Sequence, residues 1–99
     1  MNEAESAPPP VTAAQAGATA MDHLTELMPK PILGATSTEP TEAGWLVEVE
    51  VVEDRRIPSS ADMLALYEVE IDPDGNLLAY RRTRRYARGS ADIGGRGMR

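Results

Sequence analysis

The chain contains no cysteine and no phenylalanine, one histidine (His23), one lysine (Lys30) and four aromatic residues, Trp45, Tyr67, Tyr80 and Tyr86. Without cysteine there is no disulfide framework, no thiolate nucleophile and no cysteine-based zinc site, a composition that fits a reducing interior. So few aromatics in 99 residues limit the apolar surface available for burial. A chain of this size buries only roughly 60% of its unfolded surface even when all of it folds. One small domain is the expectation, and a multidomain enzyme is excluded on size. No apolar run approaches the roughly 20 residues that cross a bilayer. Met1 to Pro10 is acidic and proline-rich and lacks a basic leader region, so no secretory signal is read there. The expectation is a soluble cytoplasmic protein with no membrane partner.

What is present is charge, and it is uneven. The formal net charge is −6. Residues 1–80 carry fifteen acids against three bases, a balance of −12, whereas residues 81–99 carry seven arginines against Asp92, a balance of +6. Such asymmetry implies either a basic contact surface on an acidic body or internal pairing between the two. The bases are almost all arginine, whose planar fork suits carboxylates and phosphates.

Five segments follow from pattern. Residues 1–11 have a proline tract and little to bury, and read as disordered. Residues 12–30 read as an amphipathic helix. Thr12 and Gln15 form a capping box, Ala20, Met21, Leu24, Leu27 and Met28 make one apolar stripe, and Pro29 and Pro31 end it. His23 falls on the polar side, where a solvent-facing residue is expected. Residues 31–43 read as a polar linker rich in Thr, Glu, Pro and Gly. Residues 44–88 read as a three-stranded antiparallel sheet. Residues 89–99, with Gly94, Gly95 and Gly97, read as a flexible basic tail.

The strands are read from a period of two. Trp45, Val47, Val49 and Val51 share one face against Glu48 and Glu50. From Met63, residues Tyr67, Val69 and Ile71 alternate against Glu68 and Glu70. Asp72–Pro73–Asp74–Gly75–Asn76 is a hairpin turn. Closing it with Asp72 opposite Asn76 pairs Ile71 with Leu77, Val69 with Ala79, Tyr67 with Arg81 and Glu68 with Tyr80. In that register Arg82 and Arg84 form an intramolecular ion ladder with Glu48, Glu50 and Glu68. A slip of one residue reverses the grouping. The fold class is therefore α+β, a helix packed on a small sheet with disordered ends.

Catalytic chemistry is not readable. Ser59 and Ser60 lack a nucleophile-elbow context and have only the remote His23. Gly94–Gly95–Arg96–Gly97 follows no strand and opens no helix, so it is not a phosphate cradle. Asp72 and Asp74 are explained by the turn without a metal. The expectation is no enzyme, no cofactor and no metal site. What remains is interaction surface: Arg81, Arg85 and Arg88, together with Trp45, are the candidate partner-binding residues. Arginines interleaved with Tyr80 and Tyr86 also match a stacking platform for single-stranded nucleic acid, although the −12 body repels a phosphate backbone.

Gly44–Trp45, Val49–Glu50–Val51–Val52–Glu53, Arg56–Ile57–Pro58 and Asp62–Met63–Leu64–Ala65–Leu66–Tyr67–Glu68–Val69 occur in order. They are followed by Asp72–Pro73–Asp74–Gly75, Tyr80–Arg81–Arg82 and Arg85–Tyr86. Over residues 44–88 this series resembles the gas vesicle protein O family, with a weaker echo near Leu24 to Leu27. The resemblance implies a non-enzymatic accessory protein of gas vesicle assembly, located in the cytoplasm or on the vesicle. Its implied partners are other accessory proteins or the main shell protein. The alternative that the family leaves open is a nucleic-acid-binding regulator of vesicle genes.

Overall fold

The computed structural model describes residues 10–89. A helix, α1 (Ala13–Leu27), precedes four strands, β1 (Ile32–Thr41), β2 (Gly44–Asp54), β3 (Met63–Ile71) and β4 (Leu77–Ala87). The strands form one antiparallel sheet in the order β1-β2-β3-β4. A single 3₁₀ turn, Ser59–Ala61, lies between β2 and β3, and the Ile57–Pro58 peptide is cis.

The helix starts where the capping box places it. Thr12 Oγ1 accepts from the Gln15 amide at 3.2 Å, and Gln15 Oε1 accepts from the Thr12 amide at 2.8 Å. Two otherwise orphaned helix-end donors are satisfied in this way. At the other end the Met28 amide still reaches the Leu24 carbonyl, and Pro29 stops the ladder. The buried stripe is Ala16, Gly17, Ala20 and Leu24, with Met21 and Met28 packed beside it. Leu27, expected inside, is the last residue of α1 and is 45% exposed. Gly17, which by propensity only weakens the first turns, is buried against β1, 3.7 Å from Thr38 and 3.8 Å from Ala35 as measured from the position its absent Cβ would take.

The stripe meets Val47, Val49, Val51, Ala65, Val69 and Ile71, all fully buried, with Trp45, Tyr67, Leu77 and Ile32 at the margin. The alternation read in β2 and β3 holds, and a helix over valine-rich strands forms the core. Tertiary packing supplies the stability that a 15-residue helix lacks alone.

The expected three strands are four. Residues Ile32–Thr41, within the stretch whose composition reads as a polar linker, form the edge strand β1, pairing with β2 from Ile32↔Val51 to Thr41↔Gly44. An edge strand half covered by a helix needs no strict alternation, and Pro40 is tolerated where no further strand requires its amide. Shifts between Ile32 and Gly34 and between Ala35 and Ser37 break the register, which also obscures the period in sequence. Gly44 closes this hairpin at φ +148°; a Cβ there would lie 2.1 Å from the Ile71 carbonyl oxygen. Only glycine fits.

The segments read as disordered, 1–11, and as a tail, 89–99, lie mostly outside the described residues. At their inner edges the chain is tied down. The Val11 amide donates to the Pro73 carbonyl at 3.0 Å and its side chain packs on the core, while the Gly89 amide donates to Ser60 at 2.8 Å. His23 is not simply solvent-facing: its Nε2 lies 2.9 Å from the Gly75 carbonyl, an acceptor, so this nitrogen carries the proton and ties α1 to the β3–β4 turn.

Candidate interaction surface

The β3–β4 turn is built as its residues dictate. Asp72 Oδ1 accepts from the Asp74 and Asn76 amides, each at 2.9 Å, and Oδ2 accepts from Asn76 Nδ2 at 3.1 Å. The Asp72 amide donates to the Asn76 carbonyl, and Gly75 takes φ +91°. These bonds, first those from Asn76, hold the Asp72 carboxyl below its ordinary value.

Beyond the turn the expected register fails. Ile71 pairs with Leu77, but Glu70 then pairs with Ala79, so Leu78 is bulged. The result is Val69 opposite Tyr80, Glu68 opposite Arg81 and Tyr67 opposite Arg82. A second irregularity at Thr83 restores the parity, leaving Leu66 opposite Arg84 and Ala65 opposite Arg85. A bulge moves every following side chain to the other face, so Arg81 and Arg82 exchange roles.

Arg81, expected opposite Tyr67 and so away from the Glu68 face, instead bonds Glu68 Oε1 at 2.6 Å. Arg82 lies on the helix face and bonds Glu53 Oε2 at 2.6 Å. Arg85 reaches that same oxygen at 3.7 Å. In the sequence Glu53 reads as the end of a strand, as part of the family series and, with Asp54, as a carboxylate pair that could touch a hard cation. Here it occupies the irregularity between Val52 and Asp54, its side chain is 16% exposed, and its Oε1 is buried without a hydrogen-bond partner among the described residues. Burial, and next the charge of Glu53, raise the pKa of the adjacent Tyr67 phenol.

The expected ladder of Arg82 and Arg84 with Glu48, Glu50 and Glu68 is not the arrangement found. Glu68 holds Arg81, Glu48 accepts from Thr36 Oγ1 at 2.7 Å, and Glu50 accepts from the Tyr86 hydroxyl. Tyr86, opposite Leu64 in β4, spans β3 to reach Glu50 on β2, alongside the buried Val52, Leu64 and Leu66. Burial and then the bond to Glu50 push its phenol well above the ordinary tyrosine value. Arg84 stacks on this ring, 5.1 Å from its centroid.

The residue that organises the far end is Asp62, quoted in the sequence only as part of a run. Its side chain is 2% exposed. Oδ1 accepts from the Arg56 amide at 2.7 Å, and Oδ2 faces Arg88 at 3.1 Å and Arg55 at 3.8 Å. The Arg88 amide also donates to its carbonyl. The Arg56 bond is the main cause that lowers the Asp62 pKa, against a desolvation that raises it. Arg88 is thus a clamp residue. No local sequence signal marks Asp62, because its partners come from a loop and the end of β4. Trp45 packs at the margin of the core, paired with Pro40 and Ile71.

Glu53 and Asp62 are each shared by two arginines, and Arg84 faces a ring in place of an acid. Around Glu53 and Asp62 four arginines therefore meet two carboxylates, which leaves surplus positive charge on roughly half-exposed guanidinium groups. Such groups can take carboxylates or phosphates. Among the described residues no three or more His, Asp or Glu side chains are placed to hold a metal ion, and no helix is long and apolar enough to cross a membrane.

Comparison with known proteins places the chain in a family. Residues 1–92 match the family described as Gas vesicle synthesis protein GvpO. The chain belongs to the gas vesicle protein O family. The match takes in α1 and β1 as well as the 44–88 region in which the resemblance was read. Gas vesicle protein O of Streptomyces sp. (strain CB03234) is 48% identical over 69 residues, covering 70% of this chain and 54% of its own length. Gas vesicle protein O1 of Halobacterium salinarum is 33% identical over 64 residues, covering 65% and 54%. Gas vesicle protein O of Haloferax mediterranei is 37% identical over 46 residues, covering 46% and 33%. The chain thus spans about half the length of the first two family members. No solved structure matches.

Proposed function

We propose that the chain is a non-enzymatic accessory protein of gas vesicle assembly, cytoplasmic or vesicle-associated, acting by protein–protein contact through the arginine side of its sheet. The observation that carries this reading is the pair of shared carboxylates: Glu53 between Arg82 and Arg85, and Asp62 between Arg55 and Arg88. The acids on this side do not neutralise the bases, so an acidic partner surface gains from docking there. The partners are other accessory proteins of the vesicle or its main shell protein. Arg85 is the foremost contact residue, because its ion pair is long and its carboxylate already serves Arg82. Arg81, Arg88 and Trp45 stand behind it, each with a partner of its own inside the fold.

A nucleic-acid role is less well supported. Arg81 and Arg82 already bond carboxylates at 2.6 Å, and the Arg84–Tyr86 stack is internal. Co-purification of the tagged chain with each vesicle protein, expressed pairwise, tests the proposal. Arg85→Glu with Arg81→Glu should abolish capture while circular dichroism stays unchanged. Undiminished capture by the double variant refutes the arginine surface. RNA binding at low salt that falls steeply with added salt would favour the regulator instead.

A further inference from the structure

Among the large hydrophobic side chains that reach solvent, Leu27, Leu33, Leu78 and Tyr80 are each about half covered, whereas Ile57 is 99% exposed. It touches essentially nothing of its own protein. Nor does it sit on a loose strand of chain. The Arg56 amide before it is held by Asp62 Oδ1 at 2.7 Å. The residues after it are closed by Ala61 N–H to the Pro58 carbonyl and Asp62 N–H to the Ser59 carbonyl, each at 2.9 Å. The whole segment is pinned to β4 by Arg88 N–H to the Asp62 carbonyl and Gly89 N–H to the Ser60 carbonyl, each at 2.8 Å. A buried carboxylate and four backbone bonds therefore hold one apolar side chain out in water.

Intramolecular stability does not account for that arrangement. An isoleucine contributes to folding by leaving water, and this one does not. The flanking charges add a second observation. Arg56 is paired with Asp54 at 2.9 Å, but Arg55 is 65% exposed and stands 3.8 Å from a carboxylate that Arg88 holds more closely. Three arginines around Ile57 face two acids, so the rim is positive on a body that is otherwise acidic.

We propose that the Arg55–Ala61 loop is a docking knob: Ile57 enters an apolar pocket on a partner protein, and Arg55 pairs with carboxylates on the rim of that pocket. This rests on the accessory-protein reading above and names its contact element. An apolar centre ringed by charge is the usual anatomy of a small protein–protein contact. A lipid surface fits less well, since one isoleucine gives marginal insertion and the acidic body opposes an anionic membrane.

The test is pairwise affinity of the full chain for each vesicle protein, measured for the native chain, Ile57→Ala, Ile57→Asp and Arg55→Gln. Ile57→Ala should weaken the captured pair about tenfold, Ile57→Asp should abolish capture, and Arg55→Gln should reduce its salt dependence. No partner side chain is lost inside the fold by either Ile57 change, so thermal unfolding should stay the same. Native capture undiminished by Ile57→Asp overturns the knob and leaves the accessory role standing. No capture by the native chain overturns both. Sedimentation with phosphatidylglycerol vesicles that is lost in Ile57→Asp would overturn the protein pocket in favour of lipid.

Discussion

The two ends of this sheet are held by different physics. Where α1 crosses β1 to β3, nine fully buried side chains, six of them from Val47, Val49, Val51, Ala65, Val69 and Ile71, exclude water. At the β4 end, beyond the helix, order comes from Asp62, Glu53 and the arginines around them. Burial is indifferent to pH and little affected by moderate salt, whereas ion clusters respond to both. The contrast teaches where binding belongs. The apolar end is closed, and the polar end leaves donors and charge available.

Perturbing the apolar end should have the largest effects. Gly44→Ala forces a Cβ into the Ile71 carbonyl at positive φ and should cost about 4 kcal/mol, abolishing folding in a domain this small, as read by circular dichroism. Leu24→Ala removes the largest fully buried side chain of α1 and should cost about 3 kcal/mol in urea denaturation.

The polar end should respond to pH. Asp62 at this end, and Asp72 in the β3–β4 turn beside α1, are both held below the ordinary value of 3.8 in the folded chain. Their contribution is complete above that value and is lost as pH falls through the lower folded values. Urea midpoints measured from pH 7 to pH 2 should therefore drop on the acid side. Asp62→Asn should flatten that drop and free the Arg56 and Arg88 amides to hydrogen exchange while Val47 and Val49 stay protected. A pH-independent midpoint would break the distinction between the two ends.

Smaller effects sharpen it. Arg81→Gln breaks an exposed pair with Glu68 and should cost under about 1 kcal/mol, less at high salt. Gly17→Ala meets only ordinary contacts at 3.7 Å and should stabilise α1 by about 0.5 kcal/mol in thermal unfolding. The two glycines separate backbone necessity at Gly44 from simple propensity at Gly17.

Much of the fold was legible in local pattern. The capping box of Thr12 and Gln15, the valine alternation of β2 and the Asp72–Asn76 turn all rest on interactions within a few residues. β1 was not legible in this way, because an edge strand with two register shifts, Gly34 and Pro40 carries no period. The candidate site was legible only as a concentration of arginine. Which arginine met which acid depended on one bulge at Leu78 and another at Thr83, and the roles of Glu53 and Asp62 on contacts 26 to 32 residues away in the chain.

By itself the sequence determined the element types, the turn and the charge asymmetry, since propensity, periodicity and composition act over short range. Tertiary structure alone decided the fourth strand, the pairing of each guanidinium and the projection of Ile57 into solvent. Those outcomes follow from cross-strand register and from a buried carboxylate, and both exist only once distant segments have met.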